Sequence, residues 1–193
     1  IKQTNDGGYI VAGRTKSFGS GDNDFWILKL DQNGDVVWQK TYGGSNGDSA
    51  NSIQQTIDGG FIVVGYTESF GAGNSDVLVL KIESSGDVSW QMTYGGSGYE
   101  TAHSVQETSD GKYIVAGSSD EAVLVLKLEV NGDISWQKIY SDQSYVFHWA
   151  SSIQQTTDGG YIVACNYEES GLDIYPLILK LDSTGDISWQ KIK

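Results

Sequence analysis

The stretch TNDGGYIVAG (Thr4–Gly13) returns three times along the chain, as TIDGGFIVVG (Thr56–Gly65), TSDGKYIVAG (Thr108–Gly117) and TTDGGYIVAC (Thr156–Cys165). Its aspartates, Asp6, Asp58, Asp110 and Asp158, stand 52, 52 and 48 residues apart. A second landmark follows each copy: LDQNGDVVWQK, IESSGDVSWQM, LEVNGDISWQK and LDSTGDISWQK, with tryptophans at Trp38, Trp90, Trp136 and Trp189. Two landmarks in one order, four times over, define a repeat of about fifty residues, the length scale of stacked supersecondary units.

Each copy reads as four short strands with no helix-period segment. The first is SIQQT-like, the second begins at Tyr9 and its counterparts, and a D-G-G turn joins them, glycine tolerating positive φ there. The third is FWILKL at Phe25–Leu30, and a turn ending in Gly-Asp leads to the fourth, VVWQKTY. Strand three is apolar on both faces, as a strand inside a stack of sheets must be. One such four-stranded unit cannot bury both faces alone; copies stacked around an axis can. The expectation is an all-β chain, a β-propeller of four blades, each a four-stranded antiparallel sheet. A linear β-solenoid is the competitor, but its coils are shorter and lack two tight hairpins per unit. We read one repeat domain over 1–193, with blades at about 1–42, 51–94, 103–140 and 151–193. Ile1 aligns with Ile53 and Lys193 with Tyr42. The chain therefore reads as a closed four-blade ring or as a piece of a longer array, and the absence of an initiator Met leans toward the piece.

The copies of [ST]-x-D-G-x-[YF]-I-V-[AV]-[GC], followed by K-[LI]-[DE]-x-x-G-D-[IV]-x-W-Q, resemble propeller repeats of secreted bacterial and archaeal proteins. The segment Leu30–Trp38 is also similar to the D-x-x-x-G-x-x-x-W blade motif of quinoprotein-type propellers, one residue short between Asp31 and Gly34. The resemblance implies architecture and an extracellular or cell-surface setting; quinone binding is not carried over, since no cofactor-ligating set can be placed here.

A net charge of −13 and a pI near 4.3 argue against a nucleic-acid partner, which needs clustered Lys and Arg, and would repel an anionic membrane surface. No run of eighteen apolar residues offers a membrane insertion. The lone cysteine, Cys165, excludes an internal disulfide and a CxxC metal site. There is no HExxH, no G-x-S-x-G and no phosphate-binding glycine loop, so the chain reads as a non-enzyme.

Repetition also sorts the remaining candidates. Lys29, Lys81, Lys127 and Lys180 each have an acid two residues on (Asp31, Glu83, Glu129, Asp182), which period two places on one strand face as a structural pair. The repeated tryptophans read as blade packing rather than sugar stacking. Turns of the DQNGD type read as hairpins, not EF-hand calcium loops. In an up-and-down blade both long loops emerge on the face opposite the tight turns. That face collects carboxylates, amides, hydroxyls and aromatics, suited to a glycan or to calcium through oxygen ligands. The ligand-binding candidates are Asp22, Asp24, Asp48, Asp76 and Glu100, with His148 and Trp149 from an aromatic loop that breaks the fourfold symmetry. No resident cofactor is expected, calcium being the one candidate. Two functions follow: a binding module for a glycan or cation through the long-loop face, or a structural subunit of a fibre or surface layer, joined end to end to other copies of itself.

Overall fold

The computed structural model describes residues 1–120, 122–141, 147–169 and 173–192; for 147, 148, 168, 169, 173 and 174 it describes the backbone alone. The described residues form sixteen strands in four four-stranded antiparallel sheets, each in sequential order, and no helix. These are the four blades of the repeat. Blade one holds β1 (Lys2–Gln3), β2 (Tyr9–Thr15), β3 (Asp24–Leu30) and β4 (Val36–Tyr42). Blade two holds β5 (Asp48–Gln55), β6 (Phe61–Thr67), β7 (Asp76–Ile82) and β8 (Val88–Tyr94). Blade three runs through β9 (Glu100–Glu107), β10 (Tyr113–Ser119), β11 (Ala122–Leu128) and β12 (Ile134–Tyr140). Blade four closes the series with β13 (Phe147–Gln155), β14 (Tyr161–Glu169), β15 (Asp173–Leu181) and β16 (Ile187–Ile192).

Both tight turns of a blade have one construction. Gly7 N–H donates to Thr4 O (2.9 Å) and Thr4 N–H to Gly8 O (2.9 Å), with Gly7 at φ 81°. Gly34 does the same between β3 and β4, donating to Asp31 O (3.2 Å) at φ 88°. This is the three-residue hairpin loop, a tight turn closed by a left-handed residue that glycine adopts without penalty. The second glycine of D-G-G has a different reason. A Cβ on Gly8 would sit 2.2 Å from Leu30 O and 2.7 Å from Lys29 Nζ.

That close approach identifies the lysine's partner, which is not the acid two residues on. Lys29 Nζ donates to Asp6 (2.8 Å), and Lys81, Lys127 and Lys180 reach Asp58 (2.8 Å), Asp110 (3.1 Å) and Asp158 (2.9 Å). β3 ends at Leu30, as its counterparts end at Ile82, Leu128 and Leu181, so the acid lies past the strand and outside its alternation. Asp31 then turns into its own hairpin and accepts the N–H groups of Asn33 and Asp35 (2.8 and 2.9 Å). Glu129 instead binds Lys112 (2.6 Å), the residue replacing the second glycine in copy three. Partial burial pushes the Asp58 carboxyl up, but hydrogen bonds from Lys81, Thr56 and the Gly60 N–H outweigh it and bring it down to about 2. At Asp158 the Thr156 hydroxyl, then Lys180, hold the carboxyl well below the usual range. Burial lowers Lys127 against the opposing pull of Asp110.

The chain divides into two compact units, Ile1–Thr101 and Ala102–Lys193. In the first, Ile10, Phe25 and Ile27 of blade one pack on Ile53, Phe61, Val63 and Leu80 of blade two. In the second, Ile114, Val123 and Val125 of blade three pack on Ile153, Tyr161, Val163 and Leu179 of blade four. Cys165 lies in this second core at the position of Gly13 and Gly65, and burial pushes its thiol up to about 12.

Candidate functional site

The long-loop acids do not gather in one open pocket. Asp22 is exposed and pairs with Lys16 (2.9 Å), itself exposed. Asp24, Asp48, Asp76 and Glu100 are 4% exposed or less, and form two pairs of like construction. Asp24 heads β3 and its Oδ2 accepts the N–H groups of Ser20 (3.0 Å) and Gly21 (3.4 Å). Asp48 heads β5 and its Oδ2 accepts Gly44 N–H (2.9 Å) and Ser69 Oγ–H (2.7 Å). The two carboxylates close on Gly43 from both sides: a Cβ there would lie 2.4 Å from Asp24 Oδ1 and 2.6 Å from Asp48 Oδ2. Asp48 N–H donates to Asn23 O (2.8 Å), tying the outgoing strand to the blade-one loop.

Blade two repeats this. Asp76 Oδ2 accepts Ala72 and Gly73 N–H (3.0 and 3.2 Å), Glu100 Oε2 accepts Gly96 N–H (2.7 Å), and both carboxylates flank Gly95. Copy three loses all three parts at once. Ala122 stands where Asp24 does, Ser141 where Gly43 does and His148 where Asp48 does. The acids therefore clamp the glycine loops, satisfying loop N–H groups that would otherwise be orphaned. Among the described residues no group of three or more His, Cys, Asp or Glu is placed to hold a metal. One atom stays unaccounted for: Asp48 Oδ1 is buried with no hydrogen-bond partner among the described residues. The His148 side chain lies outside the described residues, and Trp149 is partly buried on β13 opposite Asn166.

The blade faces form a second arrangement, one that sequence reasoning missed. Within each compact unit the earlier blade turns its forward face to the rear face of the later one. From blade one to blade two the joining contacts include Asn5 N–H to Gln55 Oε1 (2.8 Å), Trp38 Nε1–H to Ser84 O (3.0 Å), Lys40 Nζ to Asp87 (2.6 Å) and Tyr42 O–H to Gly86 O (2.5 Å). From blade three to blade four, Ser109 N–H binds Gln155 Oε1 (2.8 Å), Lys138 binds Asp186 (2.8 Å) and Tyr140 O–H binds Gly185 O (2.6 Å). Trp38 lies edge-on to Phe61 at 6.2 Å and Trp136 to Tyr161 at 5.9 Å, so both belong to blade packing. Burial first, then the nearby Asp87, raises the Tyr42 hydroxyl, which stays protonated as a donor.

Among the described residues, the rear face of blade one and the forward face of blade four are more exposed than these joined faces. On the rear of blade one, Tyr9, Val11, Trp26, Leu28 and Leu30 are partly exposed. Their counterparts in blade two (Phe61, Val63, Leu78, Leu80, Ile82) and blade four (Tyr161, Val163, Leu177, Leu179, Leu181) are at most 8% exposed. A cavity of about 230 Å³ opens on that rear face, lined by Phe18, Trp26, Gln39, Lys40 and Thr41. On the forward face of blade four, Trp189 is 48% exposed and Ile162, Ala164 and Ile178 are partly exposed.

No protein-family model and no curated protein sequence matches the chain. Among solved structures it is similar to the tail fiber of Staphylococcus aureus phage P68, at 11% identity and a TM-score of 0.35, over 92% of this chain. The chain spans 48% of that tail-fibre chain. It is also similar to BBS1N in its complex with ARL6DN, at 12% identity and a TM-score of 0.42, over 99% of this chain and 69% of that one.

Proposed function

We propose that this chain is a non-catalytic structural module, an extracellular or cell-surface propeller-type repeat that joins further copies of itself through its blade faces. The observation that carries the reading is the uncovered rear face of blade one. The same positions of the same repeat are buried wherever a preceding blade packs on them, and here they are partly exposed. Apolar rows of this kind are covered in use or become an aggregation hazard. Strong net negative charge supports the same reading, because it keeps free chains soluble until specific faces meet.

Sedimentation velocity over a wide concentration range tests the proposal. Reversible growth in mass with concentration is the expected result; a species of one chain at every concentration would overturn it.

The second reading, a binding module for a cation or glycan on the long-loop face, is favoured by the Asp24–Asp48 pair and the unpartnered Asp48 Oδ1. A rise in melting temperature with calcium, reversed by a chelator and lost in Asp48→Asn, is its expected result. No response to calcium or to a glycan panel would remove it.

A further inference from the structure

We infer that the partner is a second copy of this chain, docked head to tail, with the forward face of its blade four on the rear face of blade one. The inference rests on the self-association reading and adds to it an orientation and a register. Its basis is the set of contacts that each unit already makes between its two blades. All but one of the groups used at these joints recur, half on blade four and half on blade one, and among the described residues neither half is engaged in an equivalent contact.

Trp189 occupies the place of Trp38 and Trp136; Tyr9 occupies the place of Phe61 and Tyr161, the rings on which those tryptophans pack. Lys191 occupies the place of Lys40 and Lys138, and Asp35 that of Asp87 and Asp186, their ion-pair partners. Thr157 occupies the place of Asn5 and Ser109, whose N–H groups reach Gln55 and Gln155. The matching glutamine on blade one is Gln3. It already holds its amide as Gln55 does, Nε2–H directed to Gly7 O (3.5 Å) as Gln55 directs its own to Gly59 O (3.3 Å). In both, the amide oxygen is left as the acceptor for an incoming N–H.

The docked register follows: Trp189 over Tyr9 with its indole N–H toward the Gln32 carbonyl, Lys191 to Asp35, and Thr157 N–H to the Gln3 side chain. One position departs from the pattern. Copy four has Lys193 where Tyr42 and Tyr140 stand, so the hydroxyl bond to the glycine carbonyl of the facing turn is missing. The joint is therefore weaker than the internal ones, in keeping with reversible association. Because the two surfaces differ, the contact is heterologous, and copies joined by it form a larger ring or an open filament, according to whether the rotation closes.

The test uses separate chains carrying Lys191→Cys and Asp35→Cys, both exposed positions, with a short bis-maleimide. The native Cys165 is buried and does not compete. The mixture should give a cross-linked pair of chains that neither variant gives alone. Lys191→Glu should weaken association about two- to fivefold, the scale of an exposed ion pair, and Lys191→Glu with Asp35→Lys should restore it. Cross-linking of Asp35→Cys to itself, with association intact, would overturn the head-to-tail register and leave self-association standing. A chain carrying both cysteines that cross-links only within itself at every concentration would overturn the second-copy partner. No association at all would remove both this inference and the reading beneath it.

Discussion

Leu28 and Leu80 are the same residue at the same register of the same repeat. Leu28 pairs with Val11 on one side and Gln39 on the other; Leu80 pairs with Val63 and Gln91. Both lie in the first compact unit. Leu80 is fully buried in the core formed between blades one and two, whereas Leu28 is partly exposed. Truncating a buried leucine to alanine costs about 2–5 kcal/mol, lost transfer energy plus the cavity left behind. For Leu28 the sheet neighbours and strand propensity are alike and cancel in the comparison. What differs is the missing cover, which removes the cavity term and part of the roughly 1.5–3 kcal/mol that full burial of a leucine side chain is worth. Leu80→Ala should therefore cost about 1–2 kcal/mol more than Leu28→Ala. Urea denaturation followed by tryptophan fluorescence, at a dilution where sedimentation shows a single chain, measures both. Equal costs there would mean that the rear face of blade one is already covered within its own chain, and the reasoning would fail.

Two further outcomes follow from the clamps and the ion pairs. Gly43→Ala places a Cβ between Asp24 and Asp48 and should destabilise by about 1–3 kcal/mol, the usual cost of overpacking. Adding Asp24→Ala, the residue copy three carries at that position as Ala122, should recover part of the loss; strict additivity in the double-mutant cycle would refute the clamp. The Asp58 carboxyl is held at about 2 in the folded chain, below its unfolded value. Its contribution is thus full above about pH 4 and is lost as pH falls through about 2. Asp58→Asn keeps the acceptor and removes the charge, so its stability deficit, read from urea midpoints, should shrink between pH 5 and pH 2; a constant deficit would assign it to something other than the Lys81 pair.

Strands and turns were legible because they are local. The run TNDGGYIVAG carries its own alternation and its own left-handed glycine, and four copies exclude accident. Trp38 and Trp136 were legible as packing residues for the same reason. The lysine partners were not, because β3 ends at Leu30, and Asp31, one residue past it, belongs to the hairpin turn rather than to the period-two row. The acid pairs were half legible. Asp24, Asp48, Asp76 and Glu100 were singled out as a surface that binds, but the backbone amides that claim them belong to loops whose course no spacing predicts. Their loss together in copy three, as Ala122, Ser141 and His148, was the available signal. The uncovered face was illegible in principle: nothing in Leu28 distinguishes it from Leu80 until the neighbouring sheets are in place.

If copies join as proposed, the exposed rear face of blade one and the exposed forward face of blade four cover one another between chains. Hydroxyl-radical footprinting read by mass spectrometry measures that cover, because Trp26 and Trp189 each report on one of the faces. Both residues should become protected in parallel as concentration rises, while the labelling of exposed Phe18 changes with Trp26, beside it in the rear-face cavity, and that of exposed Tyr99 stays constant. Unchanged labelling of Trp26 and Trp189 at all concentrations, while the mass grows, would overturn the head-to-tail contact.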